Sequence, residues 1–273
     1  MAEKMTVPAL QQMKREGRRI AAAVAYDYQM AQILDRAGVD LISIGDSVGA
    51  AVWGQPTHFE VTVDQMVLVC LAVTRGANRA LVSCDVPFGP VQISTEEAVR
   101  AAVHLVQEGH AEMVKVDGAA DFPDAVTAIS RAGIPVFAQF GLTPQTSARY
   151  GGWDQVGGEP MPAALREKLL RDARMLEEAG ASLLDVTNAG EELSGELARA
   201  VGIPVLGGRG SGPGCDGHIQ VANGLIGYAA ASLDQARDRY GNVARVIHEG
   251  ISAYIADVRE ARPVRGIMPE RRG

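Results

Sequence analysis

The feature that most restricts how this chain can fold is a recurring unit: a helical stretch, a glycine, then a short apolar run rich in β-branched residues. The glycines are Gly38, Gly76, Gly109, Gly133, Gly180 and Gly202. Each is expected as a helix C′ cap in the left-handed conformation, which a residue without Cβ enters freely, so that the chain can turn back into a strand. The runs that follow cover residues 40–45, 80–84, 112–116, 134–138, 182–186 and 203–206. Their length and near-continuous hydrophobicity are those of parallel strands buried on both faces.

The segments between these runs have helical periodicity. Ala98, Ala101, Ala102 and Leu105 follow a capping-box pair, Ser94 and Glu97, and Phe122, Ala125, Val126 and Ile129 repeat the same stripe. Residues 21–25 form a first strand and residues 218–226 a weaker last one, so the count approaches eight β/α units. The expected fold is therefore α/β: a closed (β/α)8 TIM barrel over residues 1–273 as one domain, with helical extensions at Val7–Arg15 and Val243–Arg259. The alternative is a doubly wound sheet, but polar strand ends here are spread over nearly every strand instead of gathering at one switch point. A length of 273 residues suits one barrel, since such domains run to about 250 residues.

Composition removes several partners. A formal charge of −7 has the wrong sign for a nucleic-acid binder. Cys70, Cys84 and Cys215 make no C-x-x-C pair, so neither a disulfide framework nor a zinc site is expected, and a reducing cytoplasm is the natural compartment. The longest apolar stretch, residues 66–73, is far short of the ~20 residues that span a bilayer, and the N-terminus carries no run of signal-peptide length.

In a barrel the residue after each strand faces the active site. Those residues are Asp27, Asp46, Asp85, Asp117, Gln139 and Thr187. Asp46, Asp85 and Asp117 end successive strands and are expected on one rim, where mutual repulsion would be relieved by a hard cation such as Mg2+. The competing reading is that each Asp is a turn former or helix N-cap. Lys115 precedes Asp117 by two residues and so shares its face. It would either neutralise a substrate oxyanion or pair with the aspartates. Ser47 offers a hydroxyl and a backbone N–H to a substrate carboxylate.

The glycine-rich stretch 207–214 lacks a phosphate-loop pattern and reads as a flexible rim. Residues 142–162, with the aromatic Tyr150 and Trp153 among glycines, read as a long functional loop or lid. His58, His104, His110, His218 and His248 show no paired metal-ligand spacing; His104 and His110 read as helix-surface residues, and His218 is the one placed near the rim.

Taken together, the stretches 26–28, 45–49, 61–66, 85–89, 114–115, 141–145 and 215–217 resemble the ketopantoate hydroxymethyltransferase family, from about Tyr26 to about Gly227. The resemblance implies a barrel like those of phosphoenolpyruvate mutase and isocitrate lyase, and a homo-oligomer, often a decamer. It also implies Mg2+ on Asp46 and Asp85 with Asp117 near the metal, substrate contacts from Ser47 and Lys115, and enolisation of 2-oxoisovalerate. The enolate then takes a one-carbon unit from 5,10-methylenetetrahydrofolate. Thr187 stands where the family has a catalytic glutamate, Gln139 where it has a histidine, and Pro90-Val91 replaces a small hydroxyl residue and an aromatic. The usual C-terminal ending is also missing. A threonine is no general base at neutral pH, so the base is expected at Asp185, with Glu191 or Glu192 second. A diverged Mg2+-dependent aldolase or lyase on another 2-oxo acid, with Gln139 and Thr187 binding a more polar substrate, is an alternative. So is a metal-binding homologue that no longer enolises anything.

Overall fold

The structure, a computed structural model, describes residues 3–151 and 163–264. Its strands are β1 (Ile20–Val24), β2 (Leu41–Ile44), β3 (Leu81–Val86), β4 (Met113–Val116), β5 (Val136–Gly141), β6 (Leu183–Thr187), β7 (Val205–Gly207) and β8 (Gly217–Val221). All neighbours are parallel and β1 closes on β8, so the fold is the (β/α)8 TIM barrel and the open sheet is excluded. Closure follows from the alternation: the strands from β2 to β7 are buried on nearly every residue, as parallel strands between a barrel interior and an outer layer of helices must be.

The helices bury the stripe that their periodicity announces. Thr95–Gln107 begins at Ser94, whose side chain accepts from the Glu97 N–H, and packs Ala98, Ala101, Ala102 and Leu105 inward. Three small alanines let the helix lie close to the sheet. Leu105 alone, fully buried, gains roughly 1.5–3 kcal/mol from leaving water. Val7–Arg15 is a helix with the expected bounds, burying Leu10 and Met13.

The recurring glycines divide into two kinds. Gly38, Gly133 and Gly180 take left-handed φ of 92°, 86° and 94°. Gly76, Gly109 and Gly202 do not, which corrects the cap expected there; at Gly76 and Gly109 the requirement is close approach. A Cβ on Gly76 would sit 2.7 Å from the Tyr28 carbonyl oxygen, and one on Gly109 2.6 Å from that of Leu105. After Gly109 the left-handed residue is His110, φ 60°, in the turn beyond the helix instead of on its surface.

The described residues fall into two compact units along the chain, one up to Val221 and one from Ala222. The last strand ends at Val221, short of the expected residue 226, because a helical turn, Ala222–Leu225, begins there. The second unit is dominated by Val243–Arg259, capped by Asn242, whose side-chain oxygen accepts from the Arg245 N–H at 3.0 Å. Val246, Ile251, Tyr254 and Val258 are exposed along it. Among the described residues no helix is long and apolar enough to cross a membrane. Of the expected lid, residues 152–162, including Trp153, lie outside the described residues.

Candidate active site

A cavity of about 120 Å³ opens at the C-terminal ends of the strands. Ser47, Asp46, Asp85, Lys115, Asp117, Gln139, Asp185 and Thr187 all line it. Apart from the half-buried Ser47, each of these side chains is buried.

The site has two flanks. On β2, β3 and β4, the backbone N–H of Asp46 donates to Asp85 Oδ2 at 3.3 Å. Burial, then the charges of Asp46 and Asp117 against the relief from Lys115, push the Asp85 carboxyl up to about 7. Burial followed by repulsion from Asp46 does the same to Asp117, again to about 7. Asp85 Oδ1 and Asp117 Oδ1 are buried without a hydrogen-bond partner. Three carboxylates sharing one poorly solvated rim is an arrangement that a cation stabilises. Among the described residues, however, no group of three or more Asp, Glu, His or Cys side chains is already arranged to hold a metal ion.

On β4, β5 and β6, Lys115 Nζ donates to Gln139 Oε1 at 2.7 Å and stands 3.1 Å from Asp185 Oδ2 and 3.9 Å from Asp85 Oδ1. Burial disfavours the Lys115 charge, but Asp85, Asp185 and Asp117 outweigh it and hold its pKa above the ordinary lysine value. Gln139 Nε2 donates onward to Thr187 Oγ1 at 2.9 Å. The register explains the chain of contacts: Gln139 lies opposite Asp185 on β6, and Asp85 opposite Lys115 on β4. Asp185 and Thr187, two apart, share the inward face. Burial raises the Asp185 pKa against the pull of Lys115, and Asp185 Oδ1 has no partner. Gly208 leaves room for it, since a Cβ there would lie 2.7 Å from Asp185 Oδ1.

Several expectations change. Asp27 caps the helix Tyr28–Ala37, accepting from the Met30 N–H at 2.8 Å, so the N-cap reading holds there. Glu191 and Glu192 are exposed in the first turn of Glu191–Ala200 and do not line the cavity. The stretch 207–214 does supply Gly208 and Arg209 to the rim, and it is pinned by Ser211 Oγ donating to the Val186 carbonyl at 2.7 Å. His218 bears on Asp185 electrostatically but does not line the cavity, and neither does His58, whose Nδ1 nevertheless stands 3.5 Å from Asp46 Oδ1. Gln145 was also missed as a site residue. Its side chain donates to Asp46 Oδ2 at 2.8 Å and its backbone N–H to Asp117 Oδ2 at 3.2 Å, tying two carboxylates together. The signal for it was its place in the 141–145 stretch. Tyr26 O–H and Ser47 Oγ share a hydrogen bond of 2.8 Å, which holds the serine at the mouth.

Fold and site define an enzyme of the (β/α)8 class whose polar groups are gathered at the strand C-termini. The chain belongs to the ketopantoate hydroxymethyltransferase family, whose model matches residues 4–263. It is 37% identical over 260 residues, 95% of this chain and 93% of the relative, to a 3-methyl-2-oxobutanoate hydroxymethyltransferase of Thermoanaerobacter sp. (strain X514). Among solved structures it is similar to 2,3-dimethylmalate lyase, a PEP mutase/isocitrate lyase superfamily member, with a TM-score of 0.62 at 14% identity over 99% of this chain and 91% of that one. It is also similar to phosphonopyruvate hydrolase in complex with oxalate and Mg2+, with a TM-score of 0.57 at 14% identity, covering 97% and 92%. These two likenesses are of fold.

Proposed function

We propose that this enzyme transfers a one-carbon unit from 5,10-methylenetetrahydrofolate to 2-oxoisovalerate, or a related 2-oxo acid, with Mg2+ at the rim of Asp46, Asp85 and Asp117. The observation that carries this reading is one cavity holding both flanks: carboxylate oxygens without a hydrogen bond on one, a lysine beside a buried aspartate on the other. Asp85 Oδ1 and Asp117 Oδ1, neither of which accepts a hydrogen bond, are hard donors of the kind Mg2+ takes, and Mg2+ commonly keeps water and substrate oxygens for the rest of its shell. Bound there, Mg2+ would offset the buried negative charge and polarise the keto group of the substrate.

The chain's own residues do the rest. Ser47 binds the substrate carboxylate through its hydroxyl and backbone N–H. Lys115 donates from Nζ to the keto oxygen and continues to do so as that oxygen gains charge. Asp185 Oδ1 accepts the C3 proton, and the electron pair of the broken C–H bond moves to the keto oxygen, giving the enolate. Gln139 keeps Lys115 and Thr187 aligned. C3 then bonds to the methylene carbon of the folate as its carbon–nitrogen bonds break. Water supplies the new hydroxyl, and the folate nitrogens leave with protons from Asp185 and from that water. We place the enzyme in the cytoplasm, where its three buried cysteines stay free.

The test is proton exchange: protein, Mg2+ and 2-oxoisovalerate in D2O, with loss of the C3 proton followed by NMR. Exchange that depends on Mg2+ is expected. Exchange or cleavage of pyruvate or a hydroxylated 2-oxo acid instead would favour the aldolase or lyase reading. No exchange with any 2-oxo acid would leave only a metal-binding homologue.

A further inference from the structure

His58 lies between β2 and the helix Val63–Gly76, twelve positions from Asp46 in the chain and touching it in space. Its Nδ1 is buried, has no hydrogen-bond partner, and faces Asp46 Oδ1 at 3.5 Å. That spacing is long for a charge-assisted hydrogen bond, which closes to about 2.7–2.9 Å. It suits two donors of a single cation, because ligands held about 2.1 Å from one divalent ion stand roughly 3 to 3.5 Å apart. The side chain is about one-fifth exposed.

We infer that His58 is a nitrogen donor to the rim metal, adjacent to Asp46, and that it shifts the preference of the site from Mg2+ toward a borderline cation such as Mn2+ or Co2+. The inference rests on the metal-dependent reading above. Carboxylate oxygens serve Mg2+ and Mn2+ alike, whereas neutral imidazole favours the later first-row ions and adds little for Mg2+. A histidine acting only as a positive neighbour of Asp46 would instead oppose every divalent ion equally.

The experiment uses the whole protein loaded with Mn2+ and read by electron spin-echo envelope modulation, alongside calorimetric titrations of Mn2+ and Mg2+. The expected spectrum carries imidazole-nitrogen modulation that His58→Gln removes and His218→Gln keeps. The expected titrations show Mn2+ binding weakened about tenfold or more in His58→Gln, with Mg2+ changed by less than about twofold. Far-UV circular dichroism checks that the variant folds, and the wild-type spectrum stands without it. Bound Mn2+ with no nitrogen modulation would overturn the inference and leave the Mg2+ reading standing. An equal loss for both ions would overturn it too, making His58 a charge or a wall. No uptake of any divalent ion by the wild type would overturn both.

Discussion

At Asp185 two forces act in opposite directions: burial raises its pKa, while Lys115 at 3.1 Å favours its charged form. A carboxylate poised that way is a competent base. Asp185→Asn is expected to abolish C3 exchange while leaving Mg2+ affinity within about threefold, since the oxygens proposed to hold the metal are elsewhere; retained exchange would remove Asp185 from the mechanism. Gly208→Ala should lower exchange by about a hundredfold with the fold intact, by displacing Asp185. Asp85 and Asp117 make a pH prediction. Both bind protons more tightly folded, to about 7, than the ordinary 3.8 of the unfolded chain. They therefore stabilise metal-free protein fully below the lower value, and that stability is lost as pH rises through the upper one. Thermal melts should accordingly show Mg2+ raising Tm more at about pH 8 than at about pH 5.5, because below neutrality the ion competes with protons. The three rim aspartates and Lys115 were legible from alternation and strand ends alone. Gln145 and His58 were not, because a loop residue has no period to say where it points.

At the scale of elements, the strand positions were read closely because a buried parallel strand is nearly all apolar. The β8 boundary was misplaced because Ala222–Leu225 is also mostly apolar yet turns helical. The glycine pattern located the turns but not their reasons, which depend on what packs nearby. That difference is measurable by urea denaturation. Gly133→Ala, with open space around its Cβ but φ 86°, should lose about 1–2 kcal/mol from left-handed strain. Gly76→Ala would press a methyl to 2.8 Å from Ala31 Cβ as well as against the Tyr28 carbonyl, and should lose about 1–3 kcal/mol through overpacking. If Gly76→Ala proves neutral, close approach is the wrong account of that glycine.

For the whole molecule, the resemblance implies a homo-oligomer, and light scattering coupled to size exclusion is expected to give a mass several times 28.8 kDa. A monomer would leave Val246, Ile251, Tyr254 and Val258 without a subunit contact to explain their exposure. The flanks of the cavity are set by the order of strands around the ring, with acids on β2 to β4 and the lysine–glutamine–threonine line on β4 to β6. A flat carbanion lodged between such unlike walls presents its two sides to different surroundings, and only one of them can meet the incoming carbon. Its twin methyl groups would thus cease to be equivalent: a substrate of one configuration at C3, labelled with carbon-13 in one of them, should yield product of a single handedness.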